Sequence, residues 1–239
     1  MNVIVSAYFK IPSKKPHSEY IEYMKRWFCA VQCPVIFFTT EDVKREIEDM
    51  GYNIPHVQFQ LMKFEELHAW RLGRDFWERQ KQRDVESYHT PELAAIWYEK
   101  KEFVKRAMEL SSADVFIWCD AGCVRNDNSE TALQQFGNRQ VWNDDRIHLQ
   151  HIRDQPHKEF YTFPDSMVAG AIIVGNRTAW TQFSELYDQV LQIYDTNGVC
   201  CNSDQYIMAS CYDSFPSLFS VHKPTNSIVE SWFFFLNVI

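Results

Sequence analysis

Asp114-Val-Phe-Ile-Trp-Cys-Asp120-Ala-Gly-Cys-Val-Arg125 joins an apolar run to a carboxylate and a glycine-containing turn. The run predicts a buried strand that ends in Asp120. In open α/β sheets ligands bind beyond the carboxyl ends of the strands, where a hard oxygen ligand can hold Mg²⁺ or Mn²⁺ against a diphosphate. Two other readings fit these residues. One is a carboxylate that only caps a turn; the other is a haloacid-type phosphatase, which wants a second Asp where this chain has Gly122.

Upstream, Thr90-Pro91 predicts a helix start, with Thr as the cap and Pro at the first helical position. Leu93, Ile96, Trp97, Phe103, Val104 and Ala107 follow at helical spacing and make an apolar stripe with Lys100 in its middle. A lysine there must snorkel to water or meet a negative partner, a carboxylate or a substrate phosphate, because an unpaired buried ammonium is costly. Lys101, Lys105 and Arg106 fall on other faces and are expected to be solvated. Residues 65–89 mix Trp70 and Trp77 with many charges and read as a solvated, partly helical insertion.

Further out, Val3 to Tyr8, Pro34 to Thr40 and the alternating Val57, Phe59 and Leu61 read as strands, with Thr40 capping a short helix that stops at Gly51. Met167 to Val174 and Leu218 to His222 are later strands. Trp180, Phe183, Tyr187, Val190 and Tyr194 mark a helix, and Asp204 stands at the start of another. Strands alternating with helices define an α/β layer fold with a mostly parallel central sheet. No repeat or linker interrupts the 239 residues, so one domain over 1–239 is expected.

The composition narrows the function. The net charge of −8 is spread as 17 basic and 19 acidic groups in residues 1–120 against 7 and 13 in the remainder, which disfavours a nucleic-acid partner. No stretch reaches the 18 apolar residues of a membrane span, and the start MNVIVSAYFKIP reads as a strand rather than a signal. Seven cysteines without framework spacing point to a reduced, cytoplasmic protein. Cys29/Cys33 and Cys119/Cys123 lack redox or zinc spacing and are expected to pack as small apolar residues. His148-x-x-His151 is a weak zinc signal, and His222-Lys223, after the last strand, offers an imidazole for Mn²⁺ beside an ammonium for phosphate.

Taken in order, Val3-Ile-Val-Ser-Ala-Tyr-Phe9, Val35-Ile-Phe-Phe-Thr39, Ile96-Trp97 with Lys100, Trp118-Cys-Asp-Ala-Gly-Cys-Val-Arg125, Asp204-Gln205, Phe215-Pro-Ser-Leu-Phe219 and Ser231-Trp-Phe-Phe-Phe235 resemble the HtrL/YibB-like family, whose expected activity is glycosyl transfer. The chain is more distantly similar to glycogenin-like and galactosyltransferase-like GT-A enzymes. The resemblance implies a GT-A fold with a nucleotide-binding half, 1–125, and an acceptor-side half, 126–239. A UDP-, GDP- or CDP-sugar donor would rest over Ala7, Tyr8 and Thr39, and a glycan or other hydroxyl would accept the sugar. Asp120 matches the first Asp of an Asp-x-Asp motif and Gly122 stands where the second is usual, so a Mn²⁺ or Mg²⁺ would rely on Asp120 and His222. Lys100, Arg125 and Lys223 would offset diphosphate charge, with Asp204 orienting hydroxyls or acting as base. A catalytically inactive nucleotide- or sugar-binding protein and a phosphate-ester hydrolase are the rival functions.

Overall fold

The computed structural model describes residues 1–136, 142–163, 166–224 and 231–238. Among the described residues seven strands form one sheet: β1 (Asn2–Tyr8), β2 (Val35–Thr39), β3 (Val57–Leu61), β4 (Val115–Cys119), β5 (Ile147–His151), β6 (Val168–Asn176) and β7 (Phe219–His222). Their spatial order is β3-β2-β1-β4-β6-β5-β7. The first four run parallel, β6 is antiparallel to both its neighbours, and β5 and β7 pair in parallel. The strands expected at Val3 to Tyr8, Val35 to Thr39, Val115 to Cys119 and Ala171 to Val174 all lie in this sheet.

Helices cover both faces, which is why β1, β2 and β4 are apolar along their length instead of alternating. In β1, Val3, Val5 and Ala7 face one core while Ile4 faces the other, as a period of two requires. The first core is closed by α3 (Arg74–Arg83), α4 (Pro91–Leu110), α6 (Arg177–Thr196) and α7 (Asp204–Ser214). The second lies under α1 (His17–Ala30), α2 (Glu41–Glu48), α5 (Asp127–Gln135) and the C-terminal 3-10 turns over Ser231–Asn237.

Helix α4 starts as expected, with the Thr90 hydroxyl accepting from the Leu93 amide and Pro91 in the first turn. Its burial departs from a one-sided stripe. Every residue from Tyr98 to Val104 is buried, because α4 lies between the sheet, α6, α7 and the segment before α3. Lys101 is therefore not solvated. It is 2% exposed, pairs with Glu102 at 2.7 Å and Asp188 at 2.9 Å, and sits over the Tyr98 ring.

The 65–89 segment is likewise a packed layer and not a solvated insertion. Leu67, Ala69, Phe76 and Trp77 enter the core, and the Glu99 carboxylate of α4 accepts from the His68 and Ala69 amides at 2.9 and 2.7 Å. Most of its charges occupy the outer face, while the Asp84 side chain is 1% exposed and pairs with the buried His89 at 2.7 Å. Thr40 does precede α2, but its hydroxyl donates to Asp42 rather than capping a backbone amide. Gly51 closes that region at φ +75°, a conformation that suits glycine. Cys33, Cys119 and Cys123 are buried, whereas Cys29 is exposed. Among the described residues, no helix is long and apolar enough to cross a membrane.

Candidate functional site

A cavity of about 280 Å³ opens beyond the carboxyl ends of β1 and β4. Its floor carries Ala7, Tyr8, Trp118, Asp120 and Gly122, and α4 contributes Trp97 and Lys100. The loop after β1 supplies Lys14, and Arg125 comes from the turn that follows Asp120. Three basic side chains, Lys14, Lys100 and Arg125, thus share this cavity with the Asp120 carboxylate in a chain of net charge −8.

Asp120 is held from two sides. The chain continues the β4 pairing as the Asp120 amide donates to the Ala171 carbonyl at 2.8 Å, and the Trp118 indole donates to Asp120 Oδ1 at 2.7 Å. Its side chain remains 36% exposed toward the opening. Lys100 enters from α4 and is 4% exposed. Its ammonium lies 3.2 Å from Asp120 Oδ1 and 2.7 Å from Asp204 Oδ2, and donates to the Gly170 carbonyl at 2.8 Å. Burial acts to lower the Lys100 pKa, but the two carboxylates outweigh it and the net shift is upward, so the ammonium stays charged. Burial also pushes the Asp120 carboxyl up, against the pull of Lys100 and with the help of Asp204.

Asp204 reaches this triad from the first residue of α7 across β6. A Cβ on Gly170 would lie within 2.8 Å of its Cγ, so the close approach of carboxylate to strand exists because residue 170 is glycine. Asp204 is buried and contributes nothing to the cavity wall. Its contact with Lys100 is an ion pair, and Oδ2 makes no hydrogen bond of its own.

The sequence-derived residues divide by place. Ala7, Tyr8, Lys100, Asp120, Gly122 and Arg125 share the cavity. Thr39 stands behind it, buried, with its hydroxyl donating to the Tyr8 carbonyl at 2.7 Å. Lys223 lies elsewhere, paired with Asp154 at 2.7 Å. His222 is also elsewhere. Asp120 sits beside Ala171 in β6, two residues along from Ala169, which pairs with Gln150 in β5, and Gln150 pairs with His222 in β7, so three strand spacings of about 4.8 Å alone put His222 roughly 14 Å from Asp120. Its imidazole shares a 2.9 Å hydrogen bond with His148 and stacks on Trp142. His148 and His151 lie three apart on strand β5 and so point to opposite faces, which removes the zinc reading.

These positions test the implied divalent cation. The place of the second Asp is Gly122, where a Cβ would already press on the Tyr20 ring at 3.3 Å. Asp120 Oδ1 and Asp204 Oδ2 are both engaged by Lys100, and His222 is out of reach. Among the described residues no three His, Cys, Asp or Glu side chains converge. The residues present do not fit a Mn²⁺ or Mg²⁺ site.

Reading the sequence missed Lys14, Tyr20, Tyr88 and Trp97 as cavity residues. The available signal was positional: the loop after β1 must open at the same sheet end as Asp120. Tyr8 is also more than a floor residue. Its hydroxyl hydrogen-bonds His17 Nδ1 at 2.7 Å, and His17 Nε2 meets Glu46 at 2.7 Å. Burial pushes the Tyr8 pKa up, so the phenol stays neutral.

A mostly parallel α/β sheet with a cavity at its switch from β1 to β4 is a GT-A-like fold. The crystal structure of mouse xyloside xylosyltransferase 1 in its apo form superposes with a TM-score of 0.54 at 11% identity, over 93% of this chain and 85% of that one. A glycosyltransferase involved in glycosylation of the major capsid of PBCV-1 follows at 0.46 and 13%, over 93% and 81%. The chain itself belongs to the HtrL_YibB family, described as bacterial protein of unknown function, whose model matches residues 58–238. No curated protein matches the sequence.

Proposed function

We propose that this protein transfers a sugar from a nucleoside diphosphate donor to an acceptor hydroxyl in glycan or polysaccharide synthesis. The observation that carries the reading is the grouping of Lys14, Lys100 and Arg125 around Asp120 in one cavity walled by Tyr8, Tyr20, Tyr88 and Trp97. Aromatic walls suit a base and a sugar ring, and the cations suit a diphosphate. As the glycosidic bond breaks, positive charge grows on the sugar and negative charge on the departing diphosphate. Cations already in place stabilise that charge without reorganising at the moment of reaction.

In this scheme Lys14 and Arg125 bind the phosphates from the rim. The Arg125 guanidinium is steered by its bond to the Gly122 carbonyl at 3.3 Å and by the Phe233 ring beneath it. Lys100 adds charge from the floor. Asp120 accepts from a donor hydroxyl, and Asp204 acts as a positioning residue for Lys100 rather than as a base. The reading places the protein among soluble enzymes of the cytoplasm.

A thermal-shift panel of UDP-, GDP- and CDP-sugars tests it, because a ligand that binds only the native state raises apparent stability. We expect one nucleotide series to raise the Tm and its sugar to be released slowly from the donor in water. Binding without release points to the non-catalytic rival. Cleavage of generic phosphate esters with no response to nucleotide sugars overturns the proposal in favour of a phosphatase.

A further inference from the structure

The metal-ligand geometry that fails at Asp120 leaves a question about the charge at this site, and it is answered within the chain. Resting on the nucleotide-sugar reading, we infer that the Lys100 ammonium takes the place of a divalent metal and that the protein binds its nucleoside diphosphate without one. The ammonium occupies the point between two carboxylates from different elements, Asp120 after β4 and Asp204 on α7. The ammonium is ion-paired with these two at 3.2 and 2.7 Å and donates a hydrogen bond to the Gly170 carbonyl at 2.8 Å.

A metal ion has no way to share that point. Lys100 is anchored in the buried middle of α4, so its ammonium cannot swing out to water as a surface lysine does. An ion on Asp120 would stand next to the ammonium and repel it. The second ligand position is closed as well, since Tyr20 and Tyr23 pack over Gly122 with ring atoms 3.3 and 3.8 Å from a Cβ there. Removing the lysine changes the balance. Lys100→Met leaves the Asp120 and Asp204 carboxylates facing one another with no cation between them, the donor set a hard divalent ion prefers.

The test has two arms that separate this inference from the functional reading. In the first, Mn²⁺ alone is titrated calorimetrically into the free protein. We expect wild type to bind it with a Kd weaker than about 1 mM, and Lys100→Met to bind at least about 10-fold tighter and gain thermal stability from it. The Lys100→Met/Asp204→Asn double variant, which leaves no facing pair of charges, should lose that gain, and where the single variant fails to fold the wild-type titration decides the point. Micromolar Mn²⁺ binding by wild type that disappears in Asp120→Asn overturns the inference. In the second arm UDP, GDP and CDP are titrated with EDTA or with Mn²⁺. A Kd equal within about 2-fold in both supports metal-free binding. A Kd at least about 10-fold weaker in EDTA overturns it and leaves the nucleotide-sugar reading intact. No binding of any of the three in either condition overturns that reading and the metal-free binding drawn from it, while the exclusion of Mn²⁺ is decided by the first arm alone.

Discussion

Gly170 and Lys101 show how single residues set this site. A methyl group at Gly170 would collide with the Asp204 carboxylate, which is tied to Lys100 and has little room to retreat. Gly170→Ala should therefore cost about 1–3 kcal/mol by overpacking and also weaken nucleotide binding, measured by urea unfolding and calorimetry on the same preparation. Unchanged stability would mean that Asp204 rearranges freely. Lys101→Met tests the opposite case, a buried charge outside the cavity. Removing one partner of a buried pair costs about 3–5 kcal/mol. The lower end applies here, because Lys105 still lies 3.0 Å from Glu102 and Asp188 is 44% exposed. Nucleoside diphosphate affinity should stay within about 2-fold, in contrast to Lys100→Met.

The elements divide the two lysines' roles. Helix α4 turns Lys100 toward β4 and β6 and Lys101 toward Asp188 on α6, so neighbouring residues serve different layers. At the far edge of the sheet, β5 and β7 bring His148 and His222 together beneath Trp142, with Asp144, Arg146 and Phe235 around them. Burial and the neighbouring His148 push the His222 pKa down to about 4. Its unfolded value is near 6.5, so between those pH values the unfolded chain binds the extra proton and stability rises with pH. Acidification through that window should weaken the fold. His222→Gln, which keeps a hydrogen-bonding group for His148, should flatten the pH dependence of the urea midpoint between about pH 4.5 and 7. An unchanged slope would assign the acid sensitivity elsewhere.

At the scale of the molecule, the proposed site groups three cations beside one carboxylate in an acidic protein, an arrangement whose field favours an anionic ligand. Lys14 is exposed and Arg125 is exposed, so neither supports the core. The Lys14→Ala/Arg125→Ala double variant should unfold within about 0.5 kcal/mol of wild type yet bind nucleoside diphosphate at least about 10-fold more weakly. Its affinity should also depend less on salt, since rim charges are the ones that ions screen. Equal affinity would remove both from the site.

Much of this architecture was legible in the sequence because it depends on local pattern. Apolar runs reported strands covered on both faces, Thr90-Pro91 reported a helix start, and a carboxylate after Val115–Cys119 marked the ligand end of the sheet. Burial of Lys100 followed from spacing, but burial of Lys101 did not, since a helix wrapped on every side no longer has a periodic polar face. Strand β5 was missed for a related reason. Ile147-His-Leu-Gln-His151 carries polar groups whose burial relies in part on partners distant in sequence, such as His222 on His148 and the Phe235 amide on Gln150. The amino-acid sequence by itself determined most of the strands and helices, and that Lys100 is buried and Asp120 stands at the ligand end of the sheet. Only the tertiary structure decided that β6 and β5 come between β4 and β7, which carries His222 away from Asp120, and that Asp204 closes on Lys100 over Gly170. Side-chain pattern reports the environment of each residue, whereas the lateral order of strands is set by packing between segments far apart in the chain.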